Sequence, residues 1–252
     1  MELKTVSNSS LGTYESCPQK YLHSYVRKLW PEKKALALGI GSAIHEILGK
    51  MYEQKRKKID LTLAQATDIF LQYLNKTPIE LKGKTPAVVT LEYTNIIRTI
   101  LKNPLEVKPK YVEKFFEVDF INPFTKEKLN PRLRGVIDLV TEDDEIVEHK
   151  TSSKKYTEEI ILNSKQHVGY FVGFCNIYHR QPLKIIYDII YKTKNPNIDI
   201  FEIMISEHDV KVYFDWARKL IEEIESEDWT ADPEFLKCRF CDFKNICAFS
   251  HA

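Results

Sequence analysis

The sequence predicts an α/β protein in which a mixed central β-sheet is flanked by helices. Helical spacing of apolar residues dominates the first 110 residues, and three segments with alternating or β-branched residues follow. A further helix, two strands and a final helix complete the chain. This order of strands and helices is typical of a sheet covered by helices.

Four helices are predicted in the N-terminal part, residues 1–110. Ser7 or Ser9 supplies the first N-cap, and Pro78 and Pro104 end the last two helices, because proline disfavours helical backbone in the preceding residue. Residues 58–110 carry no motif. The predicted helices span Ser7 to about Lys28, Leu36 to about Lys57, and residues 62–76 and 86–102.

The core sheet is expected in residues 111–206, and a C-terminal helix with a cysteine motif in residues 207–252. We expect all three parts to form one domain, residues 1–252. A polar TEDDE turn joins the second and third strands as a hairpin. The predicted strands are Tyr111–Ile121, Arg132–Thr141, Glu145–Thr151, Leu183–Lys192 and Ile198–Ile205; the predicted helices are Asn163–Tyr178 and His208–Ser226.

The composition is that of a globular protein, with 43% hydrophobic and 29% charged residues, which excludes disordered and collagen-like classes. No apolar run reaches the ~18 residues of a membrane helix, and the opening MELKTVSNSS has no signal-peptide character. We therefore expect no membrane association and a cytoplasmic location. The net charge of +1 argues neither for nor against nucleic acid. Basic residues at 126–134 suit phosphate binding or a solvated face.

Two neighbouring strands carry the candidate catalytic residues. Residues two apart on a strand project from the same face, so Glu148 and Lys150 point together, and Asp138 can meet Glu148 across the hairpin. Two converging carboxylates suit Mg²⁺ or Mn²⁺, and an adjacent lysine can stabilise charge on a phosphate or orient the attacking water. Metal-assisted phosphodiester hydrolysis needs this set of groups. Taken alone, the same residues are common on exposed strands.

Other motifs accompany this pair in a fixed order. They are SSLGTYESCPQKY near the start, GIGSAIH ending at His45, G-x-x-D at 135–138, E-x-K at 148–150, Q-x-x-x-Y at 166–170, and the terminal cysteines. In this order they resemble the RecB-like branch of the PD-(D/E)xK nuclease superfamily, especially CRISPR-associated and AddB-type nucleases with an iron–sulfur cluster. The resemblance covers most of the chain outside residues 58–110. Ile137 stands where the superfamily name has proline, a departure that is common in this branch.

The resemblance implies a restriction-endonuclease-like core and assigns the site. His45, Asp138, Glu148 and the backbone carbonyl of His149 would bind the catalytic Mg²⁺ or Mn²⁺. Lys150 would activate water or stabilise the pentacovalent phosphate.

Gln166 and Tyr170, four residues apart on one helix face, would position the substrate strand. The implied function is a metal-dependent DNA exonuclease acting on single strands or ends, with 5′ to 3′ polarity. Recombination, repair, phage DNA processing and CRISPR adaptation are the implied settings, with a helicase or other proteins of these processes as partners. The alternative is a non-catalytic, nuclease-like DNA-binding subunit of a larger complex.

Three of the five cysteines, Cys238, Cys241 and Cys247, lie within ten residues and indicate a metal site, which needs a fourth ligand. Cys175 lies in an apolar helix and suits the core, whereas Cys17 occupies the cysteine position of the family's N-terminal motif. The resemblance therefore selects Cys17. Spacing alone does not separate Zn²⁺ from iron; the resemblance favours a [4Fe–4S] cluster.

Overall fold

A computed structural model describes residues 1–29 and 31–251. Trp30 and Ala252, which fall within the predicted domain, lie outside the described residues. The strands are β1 (Thr5–Val6), β2 (Pro109–Ile121), β3 (Lys128–Thr141), β4 (Ile146–Ser152), β5 (Ile185–Tyr191) and β6 (Ile198–Ile203). The helices are α1 (Asn8–Ser16), α2 (Pro18–Tyr21), a π-helix (Leu22–Val26), α3 (Leu36–Arg56), α4 (Leu63–Lys76), α5 (Pro86–Lys102), α6 (Glu158–Leu162), α7 (Gln166–Tyr178), α8 (Glu207–Glu225) and α9 (Phe235–Arg239).

The six strands form one mixed sheet in the order β1-β3-β4-β5-β6, with β2 paired to β3. The β1–β3 and β4–β5 pairs are parallel, and the other pairs are antiparallel. Because β2 pairs along most of β3, β1 and β4 must share the other edge of β3. β1 pairs there at Arg132 and Leu133, and β4 at Leu139 and Val140.

Helices cover both faces of the sheet. Helices α3, α4 and α5 bury one face against strand residues such as Val147 and Ile186. Helices α1, α7 and α8 bury the other face around residues such as Ile137 and Tyr187. The predicted α/β class with a mixed central sheet flanked by helices is confirmed, and residues 58–110 are part of one helical layer.

The first predicted helix, Ser7 to about Lys28, is wrong as a single element. Ser7 caps α1 through a capping box with Ser10, but the backbone is extended at Cys17. Pro18 then begins α2, and its ring disfavours helical backbone at Cys17. The last turns form the π-helix rather than an α-helix.

Helix α7 is buried over most of its length, and Asn8 of α1 lies against it. The Asn8 amide donates to the backbone carbonyl of Gln166 over 3.1 Å, and its carbonyl accepts from the Tyr213 hydroxyl over 2.6 Å. Gly169 makes this approach possible, because a Cβ there would lie 2.2 Å from Asn8 Nδ2. Asn8 thus joins α1, α7 and α8.

Gly169→Ala should destabilise the fold by about 1–3 kcal/mol, because the added methyl group displaces Asn8. Gly12→Ala on α1 is the matched control, since a Cβ there would meet no atom within 4 Å. It should stabilise the protein by about 0.5–1 kcal/mol. Chemical denaturation measures both, and equal effects of the two substitutions would contradict the packing described.

Candidate active site

Strands β3 and β4 separate at the site. Their pairing comprises Leu139 with Val147 and Val140 with Ile146, although both strands extend further. Beyond Leu139, the side chain of Asp138 takes the place of a ladder partner. Its Oδ2 accepts a hydrogen bond from the backbone N–H of His149 over 2.9 Å. The side chain of Asp138 therefore lies at the point where the two strands diverge.

A polar network runs from β4 to α7. Lys150 Nζ lies 2.5 Å from Glu148 Oε1, and it also donates a hydrogen bond to Gln166 Oε1. Gln166 Nε2 donates to the Tyr170 hydroxyl over 2.7 Å. Both α7 residues lie one turn apart on the same face. The structure thus brings four of the sequence-predicted residues into one connected network.

His45 and Glu113 complete a second group around Asp138. His45 on α3 places Nδ1 3.5 Å from Asp138 Oδ1. Glu113 on β2 adds a carboxylate, and ligand atoms of the three residues lie within 4.8 Å of one another. An imidazole and two carboxylates are a suitable ligand set for a divalent cation.

Glu113 was missed by the sequence analysis. Its backbone has φ of +50°, which is strained for a residue with a Cβ and is unusual within a strand. Strain of this kind persists where the surrounding structure enforces it, and it often occurs at functional sites. The residue pattern of β2 does not indicate that Glu113 belongs to the site, because the sequence does not show the positive φ at this position.

The electrostatics of the site favour a bound cation. Burial, followed by the charge of Asp138, raises the pKa of Glu148 to about 7, and its Oε2 has no hydrogen-bond partner among the described residues. Burial also opposes ionisation of Asp138, but His45 and His149 outweigh it and lower the Asp138 pKa. A bound divalent cation would satisfy the unpaired oxygen and favour ionised Glu148. The residues present therefore fit a metal ion.

The side chain of His149 is oriented by contacts with Asp188 and Tyr52. Its Nδ1 lies 2.8 Å from Asp188 Oδ2, and its ring stacks on Tyr52 with centroids 5.3 Å apart. The backbone N–H of His149 is the part that contacts Asp138. The other ring nitrogen, Nε2, is buried and has no hydrogen-bond partner among the described residues, so both the imidazole and the backbone carbonyl of His149 could bind a metal ion.

A groove of about 600 Å³ adjoins the site, with His45, Glu113, Thr151 and Lys192 in its lining. The Lys192 ammonium lies 3.3 Å from the carbonyl of Ala37, and burial lowers its pKa. The sequence analysis did not single out Lys192, because it lies more than 40 residues after the E-x-K motif.

The basic residues noted at 126–134 behave differently. Lys128 pairs with Asp119 at 2.8 Å, and Arg132 pairs with Glu117 at 2.7 Å. These exposed pairs match the solvated-face interpretation of this basic stretch.

The four cysteines singled out in the sequence line one cavity: Cys17, Cys238, Cys241 and Cys247. The backbone N–H of Phe243 donates to Cys241 Sγ over 3.4 Å. Cys175 lies elsewhere, in buried α7, where burial raises the pKa of its thiol to about 12.

An N-terminal and a C-terminal segment of the chain contact each other beside this cavity. The Tyr14 hydroxyl donates to the carbonyl of Asp228 over 2.7 Å, and Gln19 Nε2 donates to the carbonyl of Trp229 over 2.7 Å. Tyr21 stacks on Trp229 with centroids 6.0 Å apart. These contacts hold the segment around Cys17 beside the C-terminal motif.

The mixed sheet, the separated strands and the carboxylate–lysine network define a nuclease. The family model of the PD-(D/E)XK nuclease superfamily matches residues 5–248, and the chain belongs to this superfamily, whose members use divalent metal ions.

A solved structure supports this fold. The chain is similar to a protein from Eubacterium rectale described as a candidate exonuclease, with 14% identity, a TM-score of 0.62, and coverage of 96% of this chain and 87% of that one. A second structure, SSO0001, shares 15% identity over 98% of this chain and 87% of that one, with a TM-score of 0.43. A search of curated proteins finds no match. Among the described residues, no helix is long and apolar enough to cross a membrane.

Glu113→Gln should weaken Mn²⁺ binding about tenfold or more if Glu113 contributes to the metal site, because the amide lacks the carboxylate charge. Glu117→Gln, four residues along the same strand, is the control and should bind Mn²⁺ as the wild-type protein does. Isothermal titration calorimetry measures both, and unchanged affinity in Glu113→Gln would remove this residue from the site.

Proposed function

We propose that this chain is a metal-dependent DNA exonuclease that acts on single strands or DNA ends, with 5′ to 3′ polarity. The observation that carries the proposal is the buried, unpaired oxygen of Glu148 beside Asp138 and Lys150. One oxygen of this carboxylate pairs with Lys150, and the other lacks a partner, which a divalent ion would supply. The description of the Eubacterium rectale protein supports the exonuclease class.

The proposed ligands of Mg²⁺ or Mn²⁺ are His45, Asp138, Glu148 and the backbone carbonyl of His149. We add Glu113 because its carboxylate lies close to His45 and Asp138. The ion would supply Lewis acidity and lower the pKa of the attacking water. Asp138 is well prepared for this role, since its pKa is lowered and its Oδ2 is oriented by the His149 amide.

Lys150 is the proposed catalytic cation. Burial disfavours its charged form, but Glu148 outweighs this effect and raises the Lys150 pKa, so the ammonium stays charged. A fixed ammonium can stabilise the charge that develops on the phosphate, or orient the attacking water.

Gln166 and Tyr170 are proposed to position the substrate strand. Gln166 connects the Lys150 ammonium to the Tyr170 hydroxyl. A shift of Gln166 or Tyr170 would therefore also move the Lys150 side chain. The groove beside His45 provides a path for the strand, and Lys192 offers an ammonium for a backbone phosphate. Recombination, repair, phage DNA processing and CRISPR adaptation are the proposed settings, with a helicase or another protein of these processes as partner.

Lys150→Ala should lower DNA cleavage by at least about a hundredfold, because it removes a charge used mainly in the transition state, while DNA binding changes little. End-labelled single- and double-stranded DNA with Mg²⁺ or Mn²⁺ provides the assay. Lys219→Ala, at an exposed position on α8, is the control. Ca²⁺ should occupy the site without supporting turnover.

Full cleavage by Lys150→Ala, or by the wild-type protein in excess EDTA, would contradict this mechanism. DNA binding without cleavage by the wild-type protein, under every metal condition, would instead favour a non-catalytic DNA-binding subunit.

We further propose that the cysteine cavity holds a [4Fe–4S] cluster, with Zn²⁺ as the alternative. Four cysteines at one cavity can hold either group. The resemblance of the cysteine pattern to the iron–sulfur branch of the superfamily favours the cluster.

Cys17→Ser should yield colourless protein with lower thermal stability, because the ligand that joins the N-terminal segment to the C-terminal motif is lost. A disulfide that closed the loop between Cys17 and Cys238 would stabilise the protein by about 5 kcal/mol, and we expect a loss of stability up to this size. Cys175→Ser is the matched control and should keep the brown colour. Iron, sulfide and zinc analysis with thermal melting tests this, and full iron in Cys17→Ser would exclude Cys17 as a ligand.

A further inference from the structure

The imidazole of His23 is buried and has no hydrogen-bond partner among the described residues. The side chain lies in the π-helix and is 4% exposed, and neither Nδ1 nor Nε2 has a partner among the described residues. A neutral imidazole has one donor and one acceptor, and leaving them buried and unpaired is unfavourable. Burial, followed by the charge of Arg27, lowers the His23 pKa and keeps the ring neutral, with a single N–H.

The imidazole lines the same cavity as the four cysteines. The Phe243 ring packs beside it, with centroids 5.2 Å apart, and offers no strong acceptor. The four cysteine sulfur atoms that line this cavity are possible acceptors for a hydrogen bond from His23, as are the side-chain oxygens of Gln19 and Ser250.

The backbone gives an independent reason to single out this residue. The N–H of Arg27 donates to the carbonyl of Leu22 over 2.8 Å, which is the five-residue spacing of a π-turn. One extra residue in a turn rotates the side chains before it by about 100° relative to those after it. Such turns are frequent at functional sites, and this one holds His23 at the cavity.

We infer that His23 donates a hydrogen bond to a sulfur atom of the iron–sulfur cluster and thereby raises the reduction potential of the cluster. The inference rests on the cluster proposed above. Reduction adds negative charge to the cluster, and a hydrogen-bond donor stabilises the more negative state. His23 is thus a tuning residue rather than a ligand, since four cysteines already supply the ligand set.

The test uses full-length protein purified anaerobically. His23→Phe should retain four irons and four sulfides per chain, with a midpoint potential shifted to a more negative value. His23→Gln keeps an N–H donor and should lie between His23→Phe and wild type. His208→Gln, an exposed histidine on α8, is the control and should have the wild-type potential. Potentiometric titration followed by electron paramagnetic resonance gives the potentials.

Nitrogen-15 labelling of histidine separates a hydrogen bond from ligation. The reduced wild-type cluster should show a weak nitrogen coupling that His23→Phe removes, whereas a coupling of directly bound nitrogen would overturn the inference. An unchanged potential in His23→Phe with full iron would also overturn it and would leave the cluster intact as a proposal. Loss of iron in both His23 variants would make the residue structural, and one zinc per chain in the wild type would reject the cluster and the inference together.

Discussion

The site depends on one constraint, the incomplete pairing of β3 with β4. β1 and β4 share one edge of β3, and the described pairing with β4 covers two residue pairs. A continued ladder would direct the backbone groups of His149 into hydrogen bonds with β3. Because the strands separate, the His149 N–H binds the Asp138 carboxylate instead. His45 from α3 and Glu113 from β2 also reach Asp138.

The two helical layers contribute different residues to the candidate site. His45 comes from the helical layer formed by α3, and Gln166 and Tyr170 come from α7 in the opposite layer. The carboxylates lie between them. Burial that would be unfavourable for unpaired charges is useful here, because a cation bound between two carboxylates in a low-dielectric site is held more strongly than in water. The unpaired oxygen of Glu148 is therefore best understood as preparation for a ligand.

Sequence periodicity could predict the elements but not every site residue. Glu148 and Lys150 were accessible because alternation on a strand fixes their common face, and Gln166 and Tyr170 because four residues make one helical turn. Glu113 and Lys192 could not be found in this way, since they join the site through pairing between distant segments and, for Glu113, through an unusual backbone angle. The break of the first helix at Cys17 was readable from Pro18, but the sequence pattern did not indicate the π-helix that follows, in which His23 packs on Phe243 of the C-terminal segment.

The cysteine cavity and the network around Lys150 are connected through α1. This helix of nine residues spans roughly 13 Å, carries Asn8 at its start and ends directly before Cys17. Asn8 donates to the backbone of Gln166, whose side chain contacts Lys150. A ligand that ties Cys17 to the C-terminal motif would therefore restrain the position of Asn8 and, through it, the first turn of α7. Direct electron transfer to the catalytic site is not needed for this connection. The proposed cysteine site would thus serve the proposed hydrolysis, a reaction without redox chemistry, by fixing the helix that positions Lys150.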